Sequence, residues 1–168
     1  VCRRALGFGL SVLACDPLMD APAIERHGAR AAGFDELLAA SDILSLHCNL
    51  DISNRGLLNR AAFARMRRKP LLLNVARGAL IVEADLVEAL DRGLIAGAAL
   101  DVLAQEWPDL SHHPLAGRDD VLLTPHVAFY SEAALEDLRR ISAQNVRSFF
   151  EGRPEELSRL VPPPEGGT

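Results

Sequence analysis

The chain has 168 residues, 49% apolar and 24% charged, the profile of a soluble globular domain long enough to bury a full core. Its 18 basic and 23 acidic residues leave a formal charge of −5, which argues against nucleic acid as the main partner, because a phosphate backbone selects a basic face. No apolar run approaches the roughly 20 residues of a membrane span, so a cytoplasmic protein without a membrane partner is expected.

From Val1 the sequence reads as the tail of an amphipathic helix, a break at Gly7–Phe8–Gly9, and a short apolar strand over 10–15 that ends at Asp16. A helix is predicted over 34–41, where apolar residues fall three and four apart, followed by a strand over 42–47 and a helix over 60–66. The run Arg65–Lys69, four cations in five residues, reads as the solvated end of that helix. A strand over 71–75 leads to a helix over 83–93, with Glu83 and Asp85 in its first turn and Gly93 at its stop. Strands over 96–102 and 121–125 come next, separated by a proline-flanked loop in which His112 and His113 are expected at the surface. The last helix spans 131–152, from a Ser131 cap to Gly152, and the Pro/Gly tail 161–168 is expected to be loose. Cys2, Cys15 and Cys48 lack CxxC spacing and suggest neither a disulfide framework nor a metal site. The two at strand ends, Cys15 and Cys48, are expected as buried free thiols.

Short apolar strands alternating with helices predict an α/β fold, a doubly wound parallel sheet of about five strands. In such sheets ligands sit beyond the carboxyl ends of the strands. Those ends hold Asp16, His47–Cys48, Asn74–Arg77, Asp101 and Thr124–His126. A carboxylate at Asp16 suits the two hydroxyls of an adenosine ribose, or else caps the turn at Pro17–Leu18. Arg77 at the mouth of an apolar sheet calls for a bound carboxylate or phosphate, or for an ion pair with one of the chain's own acids. His126, with an acid such as Glu106 beside it, has the makings of a general base near neutral pH, although a lone histidine at a strand end is more often structural.

The strings "LLLNVARGALIVEADLVEALDRGLIAGAALDV", a following glutamate and "LLTPH" resemble the nucleotide-binding domain of the D-isomer-specific 2-hydroxyacid dehydrogenases. "SLHCNLDISNRGLLN" and "TPHVAFYSEAAL" are most similar to the branch of the C-terminal-binding-protein corepressors, itself related to phosphoglycerate dehydrogenase. The resemblance runs from Val1 to about Arg153. It implies a Rossmann-like sheet lacking its first strand and glycine-rich turn, with the NAD-binding domain over 1–128 and a helix and tail over 129–168 that return to a substrate domain. It also implies NAD as cofactor, a small 2-hydroxy or 2-oxo acid as substrate, and a homodimer of the full-length protein. By the same resemblance Arg77 binds the substrate carboxylate, His126 is the proton donor and acceptor, and Glu106 supports it. Asp101 would face the nicotinamide, while Asp16, Cys48, Val75, Ala76, Arg77, His126 and Phe129 line the cofactor. Trp107, inserted between Glu106 and Pro108, is expected to fill the wall of the site. The chain then reads as the C-terminal portion of an NAD-dependent oxidoreductase, with weak NAD binding and no useful turnover on its own. The rival reading is a non-catalytic truncated pseudo-enzyme or an NAD-sensing, corepressor-like interaction module.

Overall fold

The computed structural model describes residues 1–158, so the tail 161–168 lies outside the described residues. The chain divides into two compact units, Val1–Ala128 and Phe129–Thr168.

In the first unit the elements run α1 (Cys2–Gly7), β1 (Leu13–Ala14), α2 (Ala21–Glu25), β2 (Arg30–Ala31), α3 (Phe34–Ala40), β3 (Ile43–Leu46), α4 (Arg60–Phe63), β4 (Leu71–Asn74), α5 (Glu83–Asp91), β5 (Gly97–Leu100) and β6 (Val121–Leu123). The described strands form two sheets where a single sheet of about five is expected: β1 pairs with β2, and β3-β4-β5-β6 lie in that order, all pairs parallel. The predicted strand 10–15 shrinks to Leu13–Ala14, with Leu10 and Ser11 exposed before it. Two elements carry no periodic signal in the sequence, β2 and α2. The latter is a single helical turn started by the Asp20 carboxylate, which accepts the Ala23 N–H at 2.8 Å.

Register explains the core. Leu44, Leu72 and Ala98 align across β3, β4 and β5, and so do Leu46, Asn74 and Leu100 one pleat further on. All six are buried, so one face of the sheet is fully covered, while Ser45, Leu73 and Ala99 on the other face are half-buried. Against the buried residues pack Leu38 of α3, Ala62 and Phe63 of α4, and Leu86, Ala89 and Leu90 of α5. The strands are therefore not apolar-covered on both faces to the same degree.

Helix α4 stops at Phe63, three residues short of the predicted end, and Asn59 caps it through the N–H groups of Ala61 and Ala62. The basic run is thus a turn following α4 rather than a helix end. Met66 is buried there, whereas Arg65 and Arg68 pair at the surface with Asp35 and Asp42. Helix α5 ends as expected: Gly93, two residues past its last residue, takes φ 62°, a conformation that costs glycine nothing.

In the second unit, α6 (Glu132–Phe150) starts on Ser131, whose hydroxyl accepts the Ala134 N–H at 3.1 Å. Its last turn is tied to the 3-10 turn Pro154–Glu156 by a Ser148 hydroxyl that donates to Glu156 at 3.0 Å. Among the described residues no helix is long and apolar enough to cross a membrane.

Leu72, fully buried at the centre of the sheet, anchors this packing. Leu72→Ala is expected to lower unfolding free energy by about 2–5 kcal/mol, read from urea midpoints followed by circular dichroism. A loss under about 1 kcal/mol would mean that the sheet is not packed on this face as described.

Candidate functional site

Parallel pairing brings the carboxyl ends of β3, β4, β5 and β6 to one edge, and with strands about 4.8 Å apart that edge spans roughly 15 Å. The main chain continues the alignment past the strands. Asp101 N–H donates to Asn74 O at 2.9 Å, Thr124 N–H to Leu100 O at 3.0 Å, and His126 N–H to Asp101 O at 2.9 Å.

At the end of β4, Asn74 is 0% exposed between leucines and must find its partners locally. Its amide nitrogen donates to Arg77 O at 3.0 Å and its Oδ1 accepts the Ala76 N–H at 3.1 Å. The side chain thereby folds residues 75–77 into a fixed turn. Arg77 emerges from that turn exposed, and its Nη1 donates to Ala76 O at 2.7 Å. None of the ion pairs among the described residues involves Arg77, so the expected alternative of an internal ion pair is not realised.

A cleft of about 500 Å³ lies between this turn and the one after β3, lined by His47–Leu50 and Val75–Arg77. Burial lowers the pKa of the His47 imidazole, whose Nε2 lies 2.8 Å from the Ser45 hydroxyl. At Cys48 partial loss of solvent around an otherwise exposed side chain raises the thiol, a main-chain hydrogen bond opposes it, and the charges of Asp51 and Asp16 push it up further. Asp16, Cys48, Val75, Ala76 and Arg77 thus belong to one region, with the carboxylate of Asp16 near enough to act on the thiol. The Asp16 Oδ1 also accepts the Leu18 N–H at 2.9 Å, the turn-capping role, which leaves Oδ2 for a ligand hydroxyl. Cys15 and Cys48 are exposed rather than buried, because the strands stop before reaching them.

Asp101 follows β5 and is 4% exposed. Its Oδ1 accepts from the Thr124 hydroxyl and from Val127 N–H at 2.9 Å, and Oδ2 accepts Ala128 N–H at 2.8 Å. Burial pushes its carboxyl up, but these hydrogen bonds and the nearby His126 outweigh it and hold the pKa below the ordinary value. The carboxylate expected to face a nicotinamide is thus occupied by its own chain, and what it holds is the turn that carries His126. That residue has φ 55°, a left-handed conformation uncommon outside glycine, which the Asp101 bonds on either side impose.

Glu106 stands exposed in the loop after β5, and it makes no hydrogen bond or ion pair among the described residues. The expected Glu106–His126 pairing is not made. Trp107 is 88% exposed and fills no wall built by the described residues, contrary to expectation. His113 is not a surface residue either, since its side chain is 14% exposed and faces Glu83. Phe129 is exposed, stacked edge-on with Tyr130, and opens the second unit. Sequence reasoning passed over the supporting roles of Asn74, Gly78, Glu83 and Thr124. Only Asn74 and Thr124 left a trace, as polar residues closing apolar strands.

Three comparisons bear on this arrangement. Residues 1–128 match the family model described as D-isomer specific 2-hydroxyacid dehydrogenase, NAD binding domain. The chain is 38% identical over 152 residues to a hydroxypyruvate reductase of Blautia hydrogenotrophica, covering 90% of this chain and 47% of that one. It is 37% identical over 157 residues to a D-lactate dehydrogenase of Lactiplantibacillus plantarum, with 86% and 47% covered. Among solved structures, a glyoxylate reductase from Paecilomyes thermophila superposes with a TM-score of 0.86 at 34% identity, over 96% of this chain and 48% of that one. A D-lactate dehydrogenase with NAD+ from Lactobacillus jensenii gives 0.85 at 30% identity, over 97% and 52%. The chain spans about half the length of the curated relatives it matches.

The Asp101 carboxyl, depressed in the folded state, stabilises fully above its ordinary pKa of about 3.9 and loses that contribution as pH falls through the folded-state value. Asp101→Asn is expected to cost about 1–3 kcal/mol at pH 7 and to lose less stability than the parent between pH 5 and about pH 3. Equal losses over that window, from urea midpoints at each pH, would show that the ionised carboxylate is not what holds the turn.

Proposed function

The chain belongs to the D-isomer-specific 2-hydroxyacid dehydrogenase family, matching its NAD-binding domain, and from that premise we propose that the protein catalyses reversible hydride transfer between NAD and C2 of a small 2-hydroxy acid. The observation that carries the reading is Arg77, a guanidinium without an acid of its own, held by Asn74 on the edge to which Asp101 fastens the His126 turn.

The residues present suit the dinucleotide. Asp16 keeps a carboxylate oxygen for ribose hydroxyls and would repel a 2′-phosphate. Cys48, Val75 and Ala76 line a cleft that would hold part of such a ligand. When bound, NAD accepts or supplies the hydride, and the protein supplies position and a proton. Arg77 would hold the substrate carboxylate with its planar fork, leaving the C2 oxygen for His126. In the oxidative direction the His126 imidazole takes the hydroxyl proton, and in the reductive direction the imidazolium returns it to the carbonyl oxygen. Glu106, free in the open chain, swings onto the imidazole once the site closes, favours the imidazolium and fixes its tautomer. A homodimer and a cytoplasmic setting complete this reading. A truncated pseudo-enzyme has no need of all three groups, and Arg77, Glu106 and His126 are all present.

The intact protein is expected to oxidise NADH with a short 2-oxoacid such as pyruvate, glyoxylate or hydroxypyruvate. His126→Ala should lower kcat by about 10²–10⁴-fold while NADH binding, followed by fluorescence titration, stays the same. Arg77→Ala should raise KM for the oxoacid and lower kcat together. A His126→Ala variant that keeps its rate would remove the proposed base.

A further inference from the structure

Glu83 opens α5 without a side-chain cap beneath it, because the preceding Val82 supplies none. Its carboxylate serves a different purpose. Oε1 accepts the Ala104 N–H at 2.6 Å, and Oε2 faces His113 Nε2 at 3.6 Å, an electrostatic contact rather than a hydrogen bond. The His113 Nδ1 accepts the Leu115 N–H at 3.3 Å, which leaves the ring proton on Nε2, toward Glu83. Both partners are largely covered, with side-chain exposures of 25% for Glu83 and 14% for His113.

The two points that Glu83 holds, Ala104 and His113, bracket the loop carrying Glu106. The same peptide is gripped from its other side. A Cβ built on Gly78 would stand 1.9 Å from Leu103 O and 2.5 Å from Ala104 N, so the two backbones are in direct contact there. Gly78 is the neighbour of Arg77, and Glu83 lies five residues further along. One continuous stretch, 77–83, therefore presents the Arg77 guanidinium at one end and grips the loop of Glu106 at two points, Gly78 and Glu83.

We propose that Glu83 is a positioning residue, a clasp that fixes the loop 102–113 so that Glu106 closes onto His126 in register with Arg77. The proposal rests on the reading of Glu106 given above. It requires Glu83 to act through Glu106, by way of its contacts to Ala104 and His113, and not on substrate or cofactor.

The test uses the intact protein with NADH and a short 2-oxoacid. Glu83→Ala is expected to lower kcat about 10- to 100-fold, with KM for both substrates within about threefold of the parent. Glu83→Gln, which keeps an acceptor for Ala104, should restore most of the rate, and Glu83→Asp, a methylene short, should fall between. Should the alanine variant fail to fold, the Asp and Gln pair carries the comparison. In a Glu106→Gln background Glu83→Ala should add nothing. Trp107, the only tryptophan of the chain, reports the loop directly. Its fluorescence anisotropy should drop in Glu83→Ala and recover in Glu83→Gln. A full kcat in Glu83→Ala, a loss additive to that of Glu106→Gln, or an unchanged anisotropy would each overturn the clasp. A Glu106→Gln enzyme at full rate would instead overturn the reading of Glu106, and the proposal with it. The two failures are told apart by which single variant stays active.

Discussion

A carboxylate at 4% exposure has to be surrounded by donors, and Asp101 finds three of them in the five residues 124–128. The carboxyl edge of the sheet depends on that requirement. Without it the chain leaving β6 would have no reason to turn back over β5, and His126 would have no reason to adopt a left-handed backbone. The same logic operates one strand over. Asn74 is buried between Leu46 and Leu100, cannot reach water, and is satisfied only if residues 75–77 curl around its amide. The apolar sheet thus ends in two polar groups whose hydrogen bonds dictate the shape of the two turns that carry Arg77 and His126.

This arrangement separates holding from acting. Asn74 and Asp101, which fix the edge, are buried and bonded, whereas Arg77 and His126 stand exposed on the turns they fix and Glu106 stands exposed on a separate loop. Strand register sets the spacing of the turns to within the rigidity of a hydrogen-bonded ladder, about 4.8 Å per strand. The loop of Glu106 has no strand beneath it and depends on side-chain and backbone grips from 77–83. Those grips, rather than strand register, set where Glu106 stands.

Much of this was legible in the sequence where local signals and packing agree. Strands β3 to β6 and helices α5 and α6 are found within one to three residues of the expected limits, because their apolar runs and caps, Ser131 and Gly93 among them, match what the fold buries. The misses share a cause, which is dependence on distant groups. Strand β2 is two residues long and exists through its pairing with β1, and α2 is one turn resting on Asp20. His113 looks like a loop residue until Glu83 is seen opposite it, thirty positions away in sequence. Asp101 reads as a ligand-facing acid by its place at a strand end, but its three donors lie 23 to 27 residues onward. Strand ends can be read from apolar runs, but which of their side chains face out and which face in depends on donors far along the chain.

The polarity of the cleft follows from the same geometry. At one side stand the carboxylates of Asp16 and Asp51, both near enough to push the Cys48 thiol up. At the other side stands Arg77, a guanidinium that donates to a carbonyl and not to an acid. A ligand spanning the two must present hydroxyls or other donors to the first and an anion to the second. A ribose followed by a carboxylate substrate has that order of charges, and a ribose bearing a 2′-phosphate does not. The chain as a whole carries a formal charge of −5, so attraction of a small anion cannot come from the overall field and has to come from Arg77 at short range. In the proposed reading, the placement of Arg77 without an acid partner is therefore what would let an acidic protein take an acidic substrate.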